Sequence, residues 1–242
     1  MKRKICLILV GLAVSAGMTW AGTLDQTPAD FPTTVNWCQF GCTGAAEGTP
    51  SSWVSSGADT GEVSLLSGQN WYNLQQTTSW SGNFSPDMGL VYNGAAYYGV
   101  SGADIFLTFD QVEQGAGAYI QSDFYGSYTA TITLYNSLYV SLGTYTASGT
   151  ASGNNDGSAI FLGAFDATAD VWAVQFDAFN TSVGCEDQGD CYEPDFAIGT
   201  AGMYYPATTT PEPASMLLIA PALLGLAAFG RKRILNSRRG NN

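Results

Sequence analysis

Residues 128–135 read Y-T-A-T-I-T-L-Y, so Tyr128, Ala130, Ile132 and Leu134 fall on one side and Thr129, Thr131 and Thr133 on the other. A period of two sorts apolar groups from hydroxyls on an extended strand, and no helix reproduces that sorting. Similar runs recur at 105–109, 140–146, 159–162 and 171–176, and more weakly at 63–66, 71–74, 90–92, 119–122 and 196–198. Asn136-Ser137 between two of these runs predicts a hairpin, and the joints are rich in Gly, Asn, Asp and Ser, as at 152–157. No segment carries a sustained helical period with caps, and no internal repeat is visible. About ten short strands spaced this way predict an all-β fold, two antiparallel sheets packed as a β-sandwich of the jelly-roll kind.

Charge narrows the chemistry further. The eight basic residues are Lys2, Arg3, Lys4, Arg231, Lys232, Arg233, Arg238 and Arg239, and there is no His. Of the twenty acidic residues only Glu212 lies beyond position 207, which leaves nineteen acids and no base in the long middle of the chain. No side-chain salt bridge can form there. Nucleic acid and phosphorylated ligands are repelled, because both need a basic surface. Triads built on His, Schiff bases built on Lys and His-rich zinc sites are excluded as well. Chemistry run by two carboxylates survives, as in glycoside hydrolysis, but the sequence singles out no pair. The expectation is a protein that is not an enzyme, with an acidic surface suited to solubility outside the cell.

The two ends direct that middle across a membrane. Lys2-Arg3-Lys4, the apolar run 5–16 and the small-residue exit Thr19-Trp20-Ala21 read as a signal peptide over 1–21. The β domain then occupies 22–207. Residues 208–242 hold Pro211-Glu212-Pro213-Ala214-Ser215, an apolar run over 216–229 containing Pro221, and Arg231-Lys232-Arg233. As one transmembrane helix, residues 214–230 span about 25 Å, just under a typical hydrocarbon core and short for a permanent anchor, and the basic cluster keeps the far end in the cytoplasm.

This order of short motif, apolar helix and basic cluster resembles the PEP-CTERM sorting domain, with a tail over 234–242 longer than is usual for the class. The resemblance covers about thirty residues and implies export, a transient stay in the inner membrane, and processing by an exosortase. It also implies a Gram-negative producer of exopolysaccharide, with the outer surface or extracellular matrix as destination. The strand succession is similar to β-sandwich bodies found ahead of such tails. A plain C-terminal anchor is the alternative.

Four cysteines remain in the β domain: Cys38, Cys42, Cys185 and Cys191. An even number outside the cytoplasm favours two disulfides, and three pairings are open. Spacing favours the two local loops, Cys38–Cys42 and Cys185–Cys191, over cross-pairing; a zinc site is the outside option. Around the second pair crowd Glu186, Asp187, Asp190, Glu193 and Asp195, with Gly189 between them. Like charges this close invite a hard dication, and calcium accepts about six to eight oxygen ligands in irregular loops. A structural calcium is therefore the one cofactor to look for, against a loop whose charges simply fan into water. Asn154, Asn155 and Asp156 form a second, weaker candidate.

Aromatic residues are plentiful. Trp71-Tyr72-Asn73 with Gln75-Gln76, and Trp80 nearby, offer flat rings beside polar groups, which is what a sugar-binding face needs. The competing reading places Trp71, Tyr72 and Trp80 in the core, and Trp172 is read as core outright. Asn83 and Asn180 each open a glycosylation sequon, a weak signal. Two functions stay open. One is a non-catalytic envelope or matrix protein associated with exopolysaccharide or biofilm. The other is a jelly-roll carbohydrate-binding module, with a two-carboxylate glycoside hydrolase a distant third.

Overall fold

The structure is a computed structural model that describes residues 22–48, 50–65, 70–94, 104–168, 170–180 and 195–205. The segments read as signal peptide and sorting signal, including Pro211, Glu212, Pro213, Arg231, Lys232 and Arg233, lie outside these residues. So do Cys185, Glu186, Asp187, Asp190, Cys191 and Glu193.

The strands are β1 (Thr23–Asp25), β2 (Thr33–Val35), β3 (Ala46–Glu47), β4 (Ser51–Val54), β5 (Thr60–Leu65), β6 (Trp71–Gln75) and β7 (Gly89–Tyr92). They continue with β8 (Ile105–Glu113), β9 (Gly115–Ser122), β10 (Gly126–Tyr135), β11 (Ser141–Ala151), β12 (Ile160–Phe165), β13 (Val171–Asn180) and β14 (Phe196–Tyr204). The first sheet runs β1-β12-β9-β14-β7-β6-β3, with β2 also on β14; the second runs β11-β10-β13-β8-β5-β4. Every strand pairing is antiparallel. The protein is all-β, as the alternation predicts.

Each strand found by period overlaps one of these elements, with ends that differ by at most one residue where the run overshoots it. In β10 the apolar side is buried to within 1% of full burial (Tyr128, Ala130, Ile132, Leu134), while the threonines are half-buried. Asn136 makes the hairpin turn: its side chain accepts from Leu138 and Val140 N–H, both at 3.0 Å. Thr131 then faces Thr146 across the hairpin. The main core lies between the sheets, with Leu107, Ile132 and Phe176 from the second meeting Val91, Ile120 and Ile198 from the first. Each such burial contributes about 1.5–3 kcal/mol before chain entropy is set against it.

Two differences from the sequence reading have simple causes. Strand β9 begins as Gly-Ala-Gly-Ala, which carries no strand signal, because rings occupy the space a side chain would need. A Cβ on Gly115 would lie 2.4 Å from Phe165 Cδ1, and one on Gly117 would lie 2.7 Å from Phe161 Cζ. Trp172 is half-buried rather than core, since the register with β8 shifts between Val171 and Ala173 and takes it off the inward series.

Cys38 and Cys42 are joined by a disulfide, with Cα atoms 4.7 Å apart. This is the local pairing that spacing favours. A 3-10 turn, Trp37–Phe40, brings them together: Asn36 caps its start by accepting from Cys38 N–H at 3.0 Å, and Gly41 ends it at φ 106°. Buried Asn73 anchors the loop to the sheet, donating to Trp37 O at 3.0 Å and accepting from Cys42 N–H. The bridge rests on Gly89, where a Cβ would stand 2.7 Å from Cys38 N and 2.9 Å from Cys38 Sγ. Gly89→Ala is therefore expected to destabilise the fold by about 1–3 kcal/mol through overpacking. Reducing the bridge should shrink that difference in paired denaturation curves; an alanine variant as stable as wild type would show the contact to be loose.

Candidate functional site

The outer face of the first sheet carries a second apolar cluster. In β7, Val91 belongs to the main core, while Leu90 and Tyr92 join Leu74, Trp80, Phe84 and Ala197 on the other side. The connection 76–88 folds over this face and places Trp80 and Phe84 on it. Small residues beneath make room: a Cβ on Gly199 would meet Met88 Sδ at 2.4 Å and Phe84 Cδ1 at 3.1 Å.

Across this face the registers align Tyr72, Tyr92, Ala197 and Gln121 in one row. Tyr92 is its centre. Trp80 meets it edge-on at 5.1 Å between ring centroids, and Tyr72 lies tilted at 6.4 Å. The Tyr92 hydroxyl reaches Asp123 Oδ2 at 2.9 Å and Asp195 Oδ2 at 3.3 Å. These aspartates follow β9 and precede β14, where Asp123 N–H donates to Asp195 O at 2.8 Å. One phenolic proton thus faces two carboxylates.

The electrostatics follow from that crowding. Burial first, then the two aspartates, raise the Tyr92 phenol so far that it stays protonated at any physiological pH. Desolvation raises the Asp123 carboxyl and Asp195 adds to it, against a lowering from the Tyr92 hydrogen bond. Tyr92 is thus a fixed hydrogen-bond donor.

Of the proposed sugar-binding residues, only Tyr72 remains half-exposed. Trp71 is 0% exposed and sits in the main core against Phe40, and Trp80 is 7% exposed between Phe84 and Tyr92. Trp71 alternates with Tyr72 on the strand, so one ring of the doublet had to face inward. The stacking plate formed by Trp71, Tyr72 and Trp80 does not exist as an open surface. Of the proposed calcium ligands, Asp195 alone is among the described residues, and it faces Tyr92. The sequence reading named Tyr92 only as part of a strand and did not single out Asp123; both sit where strands end, a signal visible only once the sheet order is known.

Beside this cluster a polar network ties two connections together. Asn83, 2% exposed, donates to Ser152 Oγ at 2.8 Å, Asp156 Oδ1 at 3.1 Å and Ser158 Oγ at 2.9 Å. It accepts from Gln121 Nε2 at 3.2 Å, and its N–H donates to Gln121 Oε1 at 2.6 Å. Gln76 adds a bond to Asn155 Oδ1 at 3.1 Å. Hydrogen bonds from Ser158 and Asn83 draw the Asp156 carboxyl down to about 2. Of the weaker calcium candidates Asn154, Asn155 and Asp156, Asn155 Oδ1 and Asp156 Oδ1 are thus engaged by protein donors. Asn83 and Asn180 are buried and hydrogen-bonded, so neither sequon presents a free acceptor.

A second carboxyl site lies at the opposite end of the sheets. Glu113, which closes β8, is 1% exposed, and neither of its oxygens makes a hydrogen bond of good geometry, although the Tyr205 phenol stands close enough to act on it. Desolvation raises it to about 7; the nearby Tyr205 phenol lowers it and Asp59 raises it. Among the described residues no group of three or more His, Cys, Asp and Glu side chains could hold a metal.

Comparison with known proteins adds little. No family model matches the chain, and no curated protein matches it. Among solved structures, a DUF4465 family protein from Bacteroides caccae ATCC 43185 aligns at 14% identity and a TM-score of 0.39, covering 66% of this chain and 87% of that one. A DUF4465 family protein from Bacteroides ovatus ATCC 8483 aligns at 13% identity and a TM-score of 0.24, covering 75% and 98%. Likenesses this low carry no argument about function.

Proposed function

We propose that the chain is an exported, non-catalytic protein of the envelope or extracellular matrix, sorted by an exosortase through its C-terminal signal. Its β-sandwich is of the jelly-roll kind. The strand orders support that: β12-β9-β14-β7 in one sheet and β11-β10-β13-β8 in the other are the two interleaved four-strand sets of a double Greek key. β5 and β4 extend one set, β6 and β3 the other.

The observation that carries the non-catalytic reading is how the rings and acids are used. Trp71 and Trp80 are consumed by packing, and Tyr92 is locked between two aspartates as a permanent donor. The test is fractionation of the producing bacterium. The protein is expected with the surface or matrix fraction, and recovery from the soluble periplasm alone would contradict the proposal.

A second reading, a carbohydrate-binding module, is favoured by half-exposed Tyr72 beside the Tyr92 hydroxyl and the Asp123 and Asp195 carboxylates. Co-sedimentation with the producer's own neutral exopolysaccharide tests it. Binding that disappears in Tyr72→Ala and in Asp123→Asn, with the fold intact, would establish it; no co-sedimentation would leave the structural role alone.

A further inference from the structure

We propose that β11 is a pairing edge for a second copy of this chain, two bodies joining β11 to β11 in antiparallel register to form one continuous sheet. Among the described residues the two sheets leave five edge strands, β1, β2, β3, β4 and β11, and four of them are closed off or too short to serve. β2 has three residues, and Ser56 N–H donates to its Thr34 O at 2.8 Å. β1 has three residues and ends in Asp25; β3 has two and ends in Glu47. β4 has four, and the Gln39 side chain blocks it by accepting from Val54 N–H at 2.9 Å and donating to Val54 O at 3.3 Å. β11 has eleven residues, pairs with β10 on one side, and among the described residues has no strand on the other.

Edges of this length are normally protected by a charge, a proline or a bulge. β11 reads S-L-G-T-Y-T-A-S-G-T-A and has neither a charge nor a proline. Its only register shift with β10 falls at the hairpin end, by Tyr135. Moreover, no charged residue occurs anywhere from Phe124 to Asn155, in a domain with nineteen acids elsewhere.

Burial points the same way. The inward residues of β10 are closed to within 1%, but Leu142, Tyr145 and Ala147 of β11 pack on the same core and stay half-buried. The core runs out to this edge and stops unfinished, so a strand laid alongside would complete it. Exposed apolar side chains mark both ends of the hairpin: Leu138 at 80%, Tyr139 at 58% and Val140 at 57% at its turn, Phe124 at 47% and Tyr125 at 59% at the other end. Antiparallel pairing about a two-fold axis brings the turn of each hairpin to the opposite end of its partner, so these groups meet.

Charge selects the occupant. A basic protein would be drawn to the acidic faces rather than to the neutral edge. A second copy, equally acidic, is repelled wherever its acids face those of the first, and this uncharged edge lets the two approach without that cost. The self-complementary contact closes after two copies.

The experiment is light scattering after size exclusion on the exported protein, over a range of concentrations, with two variants. Thr146 lies at the middle of β11, where a two-fold pairing sets it close to its own counterpart, and like charges there are unfavourable. Thr146→Lys is expected to weaken self-association by roughly tenfold or more. Thr131→Lys places the same charge on the same face one strand inward and should leave the dimer intact. Melting curves establish that both variants fold. A wild-type monomer at every concentration would overturn the proposal. So would a dimer that survives Thr146→Lys, or equal loss in the two variants, which would move the contact from the edge to the face.

Discussion

Replacing Asn83 by alanine is expected to lower the stability of the domain by about 3 kcal/mol, measured by chemical denaturation. One side chain there serves two connections. Its amide nitrogen is shared among Ser152, Asp156 and Ser158, and its oxygen accepts from Gln121. Truncation leaves the Gln121 amide, 1% exposed, without that acceptor, and each buried polar group stripped of its partner costs about 1–3 kcal/mol. Networks of this kind lose more than one bond at a time. The Asp156 carboxyl, freed of one donor, should titrate closer to its ordinary range in the variant. A loss below about 1 kcal/mol would mean that the two connections are held by their backbones alone.

Glu113→Gln is expected to make the protein more stable at pH 8 by on the order of 2–3 kcal/mol, while leaving stability near pH 4 almost unchanged. The carboxyl titrates near 4.5 when unfolded and near 7 when folded. A group raised in this way stabilises the fold fully below its unfolded value. That contribution is lost as pH rises through the folded value, so stability from this group declines between about pH 4.5 and 7. Elsewhere a buried carboxylate is often rescued by an arginine or lysine, but here none exists between Lys4 and Arg231. A proton is the remaining neutraliser the chain itself can use. Stability profiles of the two proteins that run parallel from pH 4 to 8 would contradict the burial argument. A wild-type profile that flattens on adding calcium would show that a dication takes the proton's place.

How far these features were legible differs from one to the next. The run Tyr128–Tyr135 dictated its strand because every position obeys the period. β1 to β4 did not show, since two to four residues are too few to display alternation and are ordered by their neighbours. The first half of β9 was silent because its glycines exist to admit Phe161 and Phe165, and those contacts are not local. Trp71 and Tyr72 were readable as one ring in and one out, but not which was which. Trp80 could not be placed, because what buries it is a connection folded back over a sheet.

Glu113 was one acid among nineteen, yet a signal was present. Counting by twos from Ile105, Leu107 and Phe109 puts it on the apolar side of its strand. The convergence of Tyr72, Trp80 and Asp195 on Tyr92 joins two stretches read separately as a sugar face and an acidic loop. Sequence distance hides that meeting; the pairing of β14 with β7 and β9 creates it.

On the proposed function, this acidic β domain is carried to its place by the signal at its C-terminus. Mass spectrometry of the protein's C-terminal peptide tests it, in the producing bacterium with and without its exosortase. A chain lacking residues 216–242 is expected in the parent and a chain ending at Asn242 in the mutant. A chain ending at Asn242 in both would contradict it.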